Sequence, residues 1–94
     1  MDVVFDRAKD AANRRKHGIS LRAAERFDID SALFQPNDLL PYGEVRYNAI
    51  GWIRAKLHYL TFTVRGTTPA DTTLRVISLR KATKHEERLY AEES

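Results

Sequence analysis

The sequence predicts one α+β domain over residues 1–94, in which a small antiparallel sheet of three or four strands packs with two N-terminal helices and one C-terminal helix. Helical patterns lie towards the two ends of the chain and strand patterns lie between them, so helices and strands are segregated along the sequence. Hydrophobic residues make up 43% of the 94 residues, which is enough for one packed core. Without alternating βαβ units or a glycine-rich phosphate loop, a Rossmann nucleotide site is excluded.

The first helix is predicted over about 7–17. Asp6 is a suitable N-cap residue, and Gly18 is suited to end the helix in the left-handed conformation. Small residues form the side that is expected to pack, and they are Ala8, Ala11 and Ala12. The other side is basic and rich in hydrogen-bonding groups, and it consists of Lys9, Asn13, Lys16 and His17.

A second helix and a long loop are expected next. Ser20 can cap a helix over about 21–27. Residues 28–43 are rich in proline, aspartate and other turn-forming residues, so they are predicted to be a loop. At most a short strand is expected there, around 32–34.

Three strands and a final helix complete the predicted fold. Segments 44–53 and 56–65 are expected to pair as a hairpin that turns near Arg54-Ala55. The segment 74–79 is apolar on both faces, as is typical of an inner strand. Trp52 is expected in the core.

The C-terminal helix is predicted over about 84–92. Thr83 and Glu86 have the spacing of a capping box, in which each side chain bonds to the backbone of the other residue. Tyr90 is expected to close this helix onto the sheet.

Positive charge is concentrated in one part of the chain. The net charge is only +3, but residues 45–85 carry eight Lys or Arg against one acid, whereas residues 27–44 carry four acids and no base. Eleven of the sixteen bases are Arg, whose planar guanidinium binds phosphate oxygens in pairs. Such an excess is expected of a surface that meets nucleic acid. The alternative is a solubilising surface with scattered charges.

Several classes of protein are excluded by what the chain lacks. It has no cysteine, so it has no disulfide, no thiolate nucleophile and no Cys-ligated metal. Its three histidines are far apart in sequence and show no metal-ligand spacing. No apolar run approaches the about 20 residues that span a bilayer, and the N-terminus has no signal-peptide pattern. We therefore expect a cytoplasmic protein with no metal, no cofactor and no membrane contact.

Five short motifs occur in one order along nearly the whole chain. They are Phe5-Asp6-x-x-Lys9, Asn13-x-x-Lys16-His17-Gly18-Ile19, Gly43-Glu44-x-Arg46, Arg75-x-Ile77-Ser78-x-Arg80 and Glu87-x-x-Tyr90. Together they resemble the BrnT family, the toxin half of a bacterial type II toxin–antitoxin pair. Two positions depart from the family pattern, because Phe5 replaces a usual tryptophan and Leu79 adds bulk, beside a predicted site residue, where alanine is usual.

The resemblance implies a RelE-like fold and a ribonuclease that blocks translation. It also implies a cognate antitoxin of the ribbon-helix-helix, BrnA-like type, which masks the toxin. The toxin–antitoxin complex is then expected to bind its own operator DNA through the antitoxin. RNA is the expected substrate.

Metal-independent cleavage of RNA needs a base for the 2′-hydroxyl proton, an acid for the leaving oxygen and cations beside the phosphate. His17 is the first candidate acid or base, because imidazole exchanges protons near neutral pH; its other role would be to satisfy carbonyl groups at a helix end. Glu44 and Arg46 lie two residues apart, so they are either a catalytic carboxylate with its guanidinium or a surface ion pair. The predicted catalytic set is His17, Glu44, Lys9, Arg46 and Arg80.

Three further cations, Lys16, Arg65 and Arg75, are predicted to bind RNA. Two rival functions use the same basic residues. One is a nucleic-acid-binding module without catalysis, in which the cations supply only affinity. The other is an interaction module whose basic face docks onto an acidic partner.

Overall fold

A mixed sheet of five strands forms the centre of the fold. The computed structural model describes residues 2–94. The strands are β1 (Asp2–Val4), β2 (Leu33–Leu39), β3 (Val45–Ile53), β4 (Lys56–Arg65) and β5 (Thr73–Lys81). The helices are α1 (Arg7–His17) and α2 (Lys84–Glu93), and short 3-10 helices cover Leu21–Arg26 and Pro69–Asp71. The strand order is β1-β5-β4-β3-β2, and every neighbouring pair is antiparallel except β1 and β5.

The α+β class is confirmed, but two details of the predicted architecture are wrong. The sheet of residues 2–94 has five strands rather than three or four, and it is mixed because Asp2–Val4 pairs in parallel with β5. Three residues are too few to show a strand pattern in a sequence. The second N-terminal helix begins after Ser20 as predicted, but Leu21–Arg26 is a 3-10 helix, a form that short connecting segments commonly take.

The strand β2 is longer than the short strand predicted around 32–34. Its register with β3 shifts between Gln35 and Asp38, where Pro36 lies. Proline cannot donate a hydrogen bond to a neighbouring strand, but β2 is at the edge of the sheet, where an irregularity accommodates it. The strand therefore continues to Leu39 and places Asp38 opposite Arg46 of β3.

The β3–β4 hairpin and the inner position of β5 are confirmed. Ile53 pairs with Lys56, so Arg54 and Ala55 form a two-residue turn. Arg54 has a φ of 56°, in the left-handed region that such tight hairpin turns require. β5 lies between β4 and β1 and is therefore bonded on both edges where β1 reaches it.

The two faces of the sheet differ. One face, which we call the core face, packs against Leu21–Arg26 and Phe27. Gly51 leaves room for the Phe27 ring, because a Cβ at this position would clash with it, at 2.6 Å from Phe27 Cζ. The buried core consists of Leu21, Ala24, Phe27, Ala49, Ile53, Leu60, Phe62, Leu74, Val76 and Leu79. Side chains alternate along a strand, so the neighbours of these residues point to the opposite side, which we call the open face.

The helix α1 lies at the predicted position, but a different side of it is buried. Asp6 caps its N-terminus, and Gly18 ends it with a φ of 72°. Its buried residue is Asn13, whereas Ala8 and Ala12 are exposed. The expected alanine packing is wrong, because two hydrogen bonds between the Asn13 side-chain amide and the Leu79 backbone of β5 anchor this helix instead.

The helix α2 begins at the predicted capping box, where Thr83 and Glu86 each accept a hydrogen bond from the backbone of the other. Tyr90 closes it onto the sheet as expected, because its ring meets Trp52 edge to face with centroids 5.8 Å apart. The Tyr90 hydroxyl also donates to the Ser31 carbonyl. Trp52 is 37% exposed, so its predicted core position is wrong, and it supports α2 instead.

Candidate active site

A cavity of about 240 Å³ lies on the open face beside the β2–β3 turn. Its lining comes from α1, from that turn and from β3, β4 and β5, and consists of Lys9, Leu40, Tyr42, Glu44, Arg46, Thr63, Arg75 and Ile77. Three of these side chains are cationic and one is a carboxylate, so we call it the basic cavity.

Strand register places three residues of the basic cavity in one row. Thr63 of β4 pairs with Arg75 of β5. Because Tyr47 pairs with Phe62, Arg46 is the residue of β3 that lies across from Thr63. Side chains opposite each other on one face of a sheet have Cβ atoms about 5 Å apart. Two arginines therefore lie on either side of Thr63 in the sheet.

An irregularity in β5 adds Ile77 to the cavity wall. Thr61 pairs with Ser78 and Phe62 pairs with Val76, so Ile77 is an extra residue in this strand, a β-bulge. A bulge changes the direction of a side chain, and here Ile77 joins the lining of the basic cavity.

The β2–β3 turn carries Tyr42 and Glu44 to the cavity. The Gly43 amide donates to the Leu40 carbonyl at 2.9 Å, and the Leu40 amide donates to the Glu44 carbonyl at 2.8 Å. Gly43 has a φ of 88°, which glycine adopts without strain. This short turn with a left-handed glycine fixes the backbone beneath both side chains.

Lys9 lines the basic cavity from α1, and the next residue, Asp10, holds this helix in place through hydrogen bonds. Asp10 Oδ1 accepts hydrogen bonds from Ser20 Oγ at 2.9 Å and from the Leu21 amide at 2.7 Å. The bond from the Leu21 backbone holds the pKa of Asp10 below its usual value. The Asp10 carboxylate therefore joins α1 to the following 3-10 helix and fixes the backbone next to Lys9.

The acidic residues around the basic cavity are paired with arginines. Glu44 Oε2 lies 3.5 Å from Arg65 Nη2, and Asp38 Oδ2 lies 3.9 Å from Arg46 Nε. The ion pair considered between Glu44 and Arg46 is not formed, although both side chains line the cavity, because Glu44 is paired with Arg65 and Arg46 with Asp38. Arg65, a predicted RNA-binding residue, reaches the site only through Glu44.

Two polar atoms of the cavity-lining residues are buried without a hydrogen-bond partner in the described structure, namely Arg46 Nε and Thr63 Oγ1. The 3.9 Å between Arg46 and Asp38 is too long for a hydrogen bond, and Thr63 is only 1% exposed. Lys9 and Arg75 form no ion pair with any acidic residue of 2–94. Lys9 and Arg75 therefore bring to the cavity positive charge without an acidic partner among these residues, so its lining is suited to an anion.

His17 and Lys16 lie in a neighbouring depression of about 220 Å³. The depression and the basic cavity share Lys9 and Ile77. Because an α-helix rises about 1.5 Å per residue, His17 is about 12 Å farther along α1 than Lys9. The structure therefore places the imidazole beside the basic cavity and does not bring it into the hollow that holds Glu44.

Arg80 lies outside the basic cavity, against α2. Its Nη1 and Nη2 donate to the two carboxylate oxygens of Glu86 at 2.8 and 2.9 Å, and its Cζ is 4.4 Å from the centre of the Tyr59 ring. The hydrogen bond from Arg80 lowers the pKa of Glu86, and burial raises the pKa of Tyr59. Leu79, expected to add bulk near the site, is fully buried in the core.

Tyr42 and Thr63 line the cavity but were not predicted as site residues. The available signal for Tyr42 was its place between Pro41 and Gly43, a turn pattern that exposes a side chain. For Thr63 there was no local signal, because its importance depends on which residue of β5 lies opposite. Among residues 2–94 no group of three or more His, Asp or Glu side chains is arranged to hold a metal ion.

The fold and the cavity define a small α+β protein with a cationic site suited to phosphate. The family described as the ribonuclease toxin BrnT of type II toxin–antitoxin systems matches residues 5–86, and the chain belongs to this family. The resemblance seen in the sequence is thereby confirmed, and membership of such a pair implies a cognate antitoxin. No curated protein matches the chain. No helix of residues 2–94 is long and apolar enough to cross a membrane.

Proposed function

We propose that this toxin cleaves single-stranded RNA in the basic cavity, without a metal ion, by attack of the RNA's own 2′-hydroxyl. One observation carries the proposal: Arg46 Nε and Thr63 Oγ1 are buried without partners in a lining that also holds Lys9 and Arg75. Both atoms are buried in this conformation, so their side chains turn towards a bound phosphate, which supplies the acceptor oxygens that these donors lack. The cations that neutralise it come from the protein itself.

Glu44 is the proposed base, because it is the carboxylate that lines the basic cavity. It takes the 2′-hydroxyl proton while O2′ bonds to phosphorus and the bond from phosphorus to O5′ breaks. Lys9 donates a proton to the departing O5′. The products are a 2′,3′-cyclic phosphate and a 5′-hydroxyl. Arg46 and Arg75 stabilise the extra negative charge of the five-coordinate phosphorus.

The remaining predicted residues have supporting roles in this proposal. His17 and Lys16 bind a neighbouring phosphate of the RNA from the depression next to the cavity. Arg65 positions Glu44 through their 3.5 Å contact. Arg80 holds α2 through Glu86 and acts on RNA only indirectly.

At the level of the cell, we propose that cleavage of messenger RNA inhibits translation. The cognate antitoxin is proposed to be of the ribbon-helix-helix, BrnA-like type and to cover the basic face. The pair then contacts operator DNA through the antitoxin. The excess of cations between residues 45 and 85 supports both an RNA substrate and an acidic covering segment.

The test is an RNA cleavage assay with purified protein in EDTA. Glu44→Gln and Lys9→Ala are expected to slow cleavage about 10²- to 10⁴-fold, as is typical when a proton-transfer group is lost. Arg15→Ala, an exposed change on the same helix as Lys9, is the matched control and should cleave normally. A single 2′-deoxy nucleotide at the cleavage position should block the reaction.

Two results would contradict the mechanism. Full activity of Glu44→Gln would remove the assigned base, and loss of cleavage in EDTA would remove metal independence. RNA that binds in a salt-dependent way and stays intact would favour the non-catalytic binding module.

A further inference from the structure

Tyr42 is the tyrosine for which the fold shows no structural use. It is 75% exposed, and within residues 2–94 its ring has no aromatic or cation contact and its hydroxyl no hydrogen bond. The other three tyrosines hold the structure together, through contacts of Tyr47 with Phe62, Tyr59 with Arg80 and Tyr90 with Trp52. Phe34 and Trp52 are also partly exposed, at 47% and 37%, but each packs against another ring, whereas Tyr42 does not.

The backbone beneath Tyr42 is fixed rather than loose. Two hydrogen bonds close the turn, from the Gly43 amide to Leu40 and from the Leu40 amide to Glu44. Pro41 restricts the turn further, because its ring fixes φ. A ring presented on such a support loses little conformational entropy when a ligand covers it.

The basic cavity has two chemically different sides. Tyr42, Leu40 and Ile77 supply aromatic and apolar surface, whereas Lys9 and Arg75 supply positive charge. A nucleotide has the same two parts, a flat base and an anionic phosphate. Tyr42 lies on the same cavity as the proposed phosphate donors, so one nucleotide can engage both sides.

We infer that Tyr42 forms a nucleobase-stacking subsite for the base that adjoins the bound phosphate. This inference rests on the proposed function and adds the feature of RNA that the site recognises. Stacking uses the face of a base, which every base has, so the subsite accepts any sequence. It requires an unstacked base, which single strands offer and regular duplexes do not.

The first test is binding of a fluorescent single-stranded RNA whose 2′-positions are methylated, so that it cannot be cleaved by its own hydroxyl. Tyr42→Ala is expected to weaken binding about 5- to 150-fold, the range for loss of one base stack. Tyr42→Phe should bind within about twofold of the parent, because the ring face remains. Leu39→Ala is the matched control, since Leu39 is 74% exposed nearby but does not line the cavity.

The second test replaces single nucleotides of that RNA by abasic ones. At one abasic position, the parent protein should lose as much affinity as the Tyr42→Ala change costs on intact RNA. Tyr42→Ala should bind this abasic RNA as well as it binds intact RNA. Equal binding of the RNA by Tyr42→Ala and the parent would overturn the subsite. So would a weaker binding of Tyr42→Ala that persists, relative to the parent, at every abasic position. These outcomes do not depend on cleavage, so an inactive parent that still binds through Tyr42 would refute the ribonuclease mechanism alone.

Discussion

Asn13 and Leu79 exchange two hydrogen bonds although they lie 66 residues apart. Asn13 Nδ2 donates to the Leu79 carbonyl at 2.8 Å, and the Leu79 amide donates to Asn13 Oδ1 at 3.2 Å. The pairing of β5 with β1 ends at Arg75, and four residues further on the side-chain amide takes the place of a neighbouring strand. It also donates to the Ile19 carbonyl at 2.9 Å. One side chain therefore closes the sheet edge and holds the helix that carries Lys9.

Asn13→Ala is expected to lower the free energy of unfolding by about 2–4 kcal/mol, because it leaves the buried backbone groups of Leu79 and the part-buried carbonyl of Ile19 without partners. Urea denaturation measures this loss. Arg15→Ala on the exposed side of α1 should change the free energy by less than about 0.5 kcal/mol. A variant as stable as the parent would mean that the amide does not anchor α1.

Local signals made most of the secondary structure predictable, whereas the site depends on distant pairing. The cap at Asp6 and the capping box at Thr83 act within four residues, so the sequence shows them directly. The row of Arg46, Thr63 and Arg75 exists only because three strands align in one register. The bulge in β5 belongs to that register, so no local pattern revealed which cations meet.

Thr63→Val should separate stability from function. The change removes a buried hydroxyl that has no hydrogen-bond partner and keeps the shape of the side chain, so the free energy of unfolding should rise by about 1 kcal/mol. Binding of the methylated RNA should weaken, because a donor to the phosphate is lost. Thermal unfolding and anisotropy measure the two effects on one sample. Lower stability would show that the hydroxyl is already satisfied in the folded protein.

Glu86→Gln should destabilise α2 in a pH-dependent way. Glutamine keeps the capping box but loses the charged bond to Arg80, so a loss of about 1 kcal/mol is expected at pH 7. The Arg80 hydrogen bond lowers the pKa of Glu86 in the folded state, so its contribution is complete above the unfolded value of about 4.3 and disappears as pH falls through the folded value.

Parent and Glu86→Gln should therefore converge in stability in strong acid. Glu87→Gln is the matched control, because the Glu87–Lys84 pair on the same helix is exposed and 3.9 Å long. A deficit of Glu86→Gln that stays constant down to the acid limit would point to altered capping rather than to lost charge.

His58 predicts a second pH dependence, in a different range. It is 7% exposed, and its Nδ1 contacts the Lys56 carbonyl at 3.0 Å. Burial lowers the pKa of His58 below the usual value of about 6.5, so the unfolded chain takes up a proton that the folded chain resists. Stability is therefore expected to fall as pH drops from about 7.5 through 6.5, by up to about 1.4 kcal/mol per pH unit, until the folded pKa is reached.

His58→Gln should remove this part of the slope, because glutamine does not titrate. Urea denaturation of both proteins between pH 5 and pH 7.5 at constant ionic strength measures it, and the difference between the curves isolates His58 from other groups that titrate there. The range lies above that of Glu86, so the two effects are distinguishable in one titration. Parallel curves for His58→Gln and parent would mean that the folded protein protonates this imidazole as easily as the unfolded chain does.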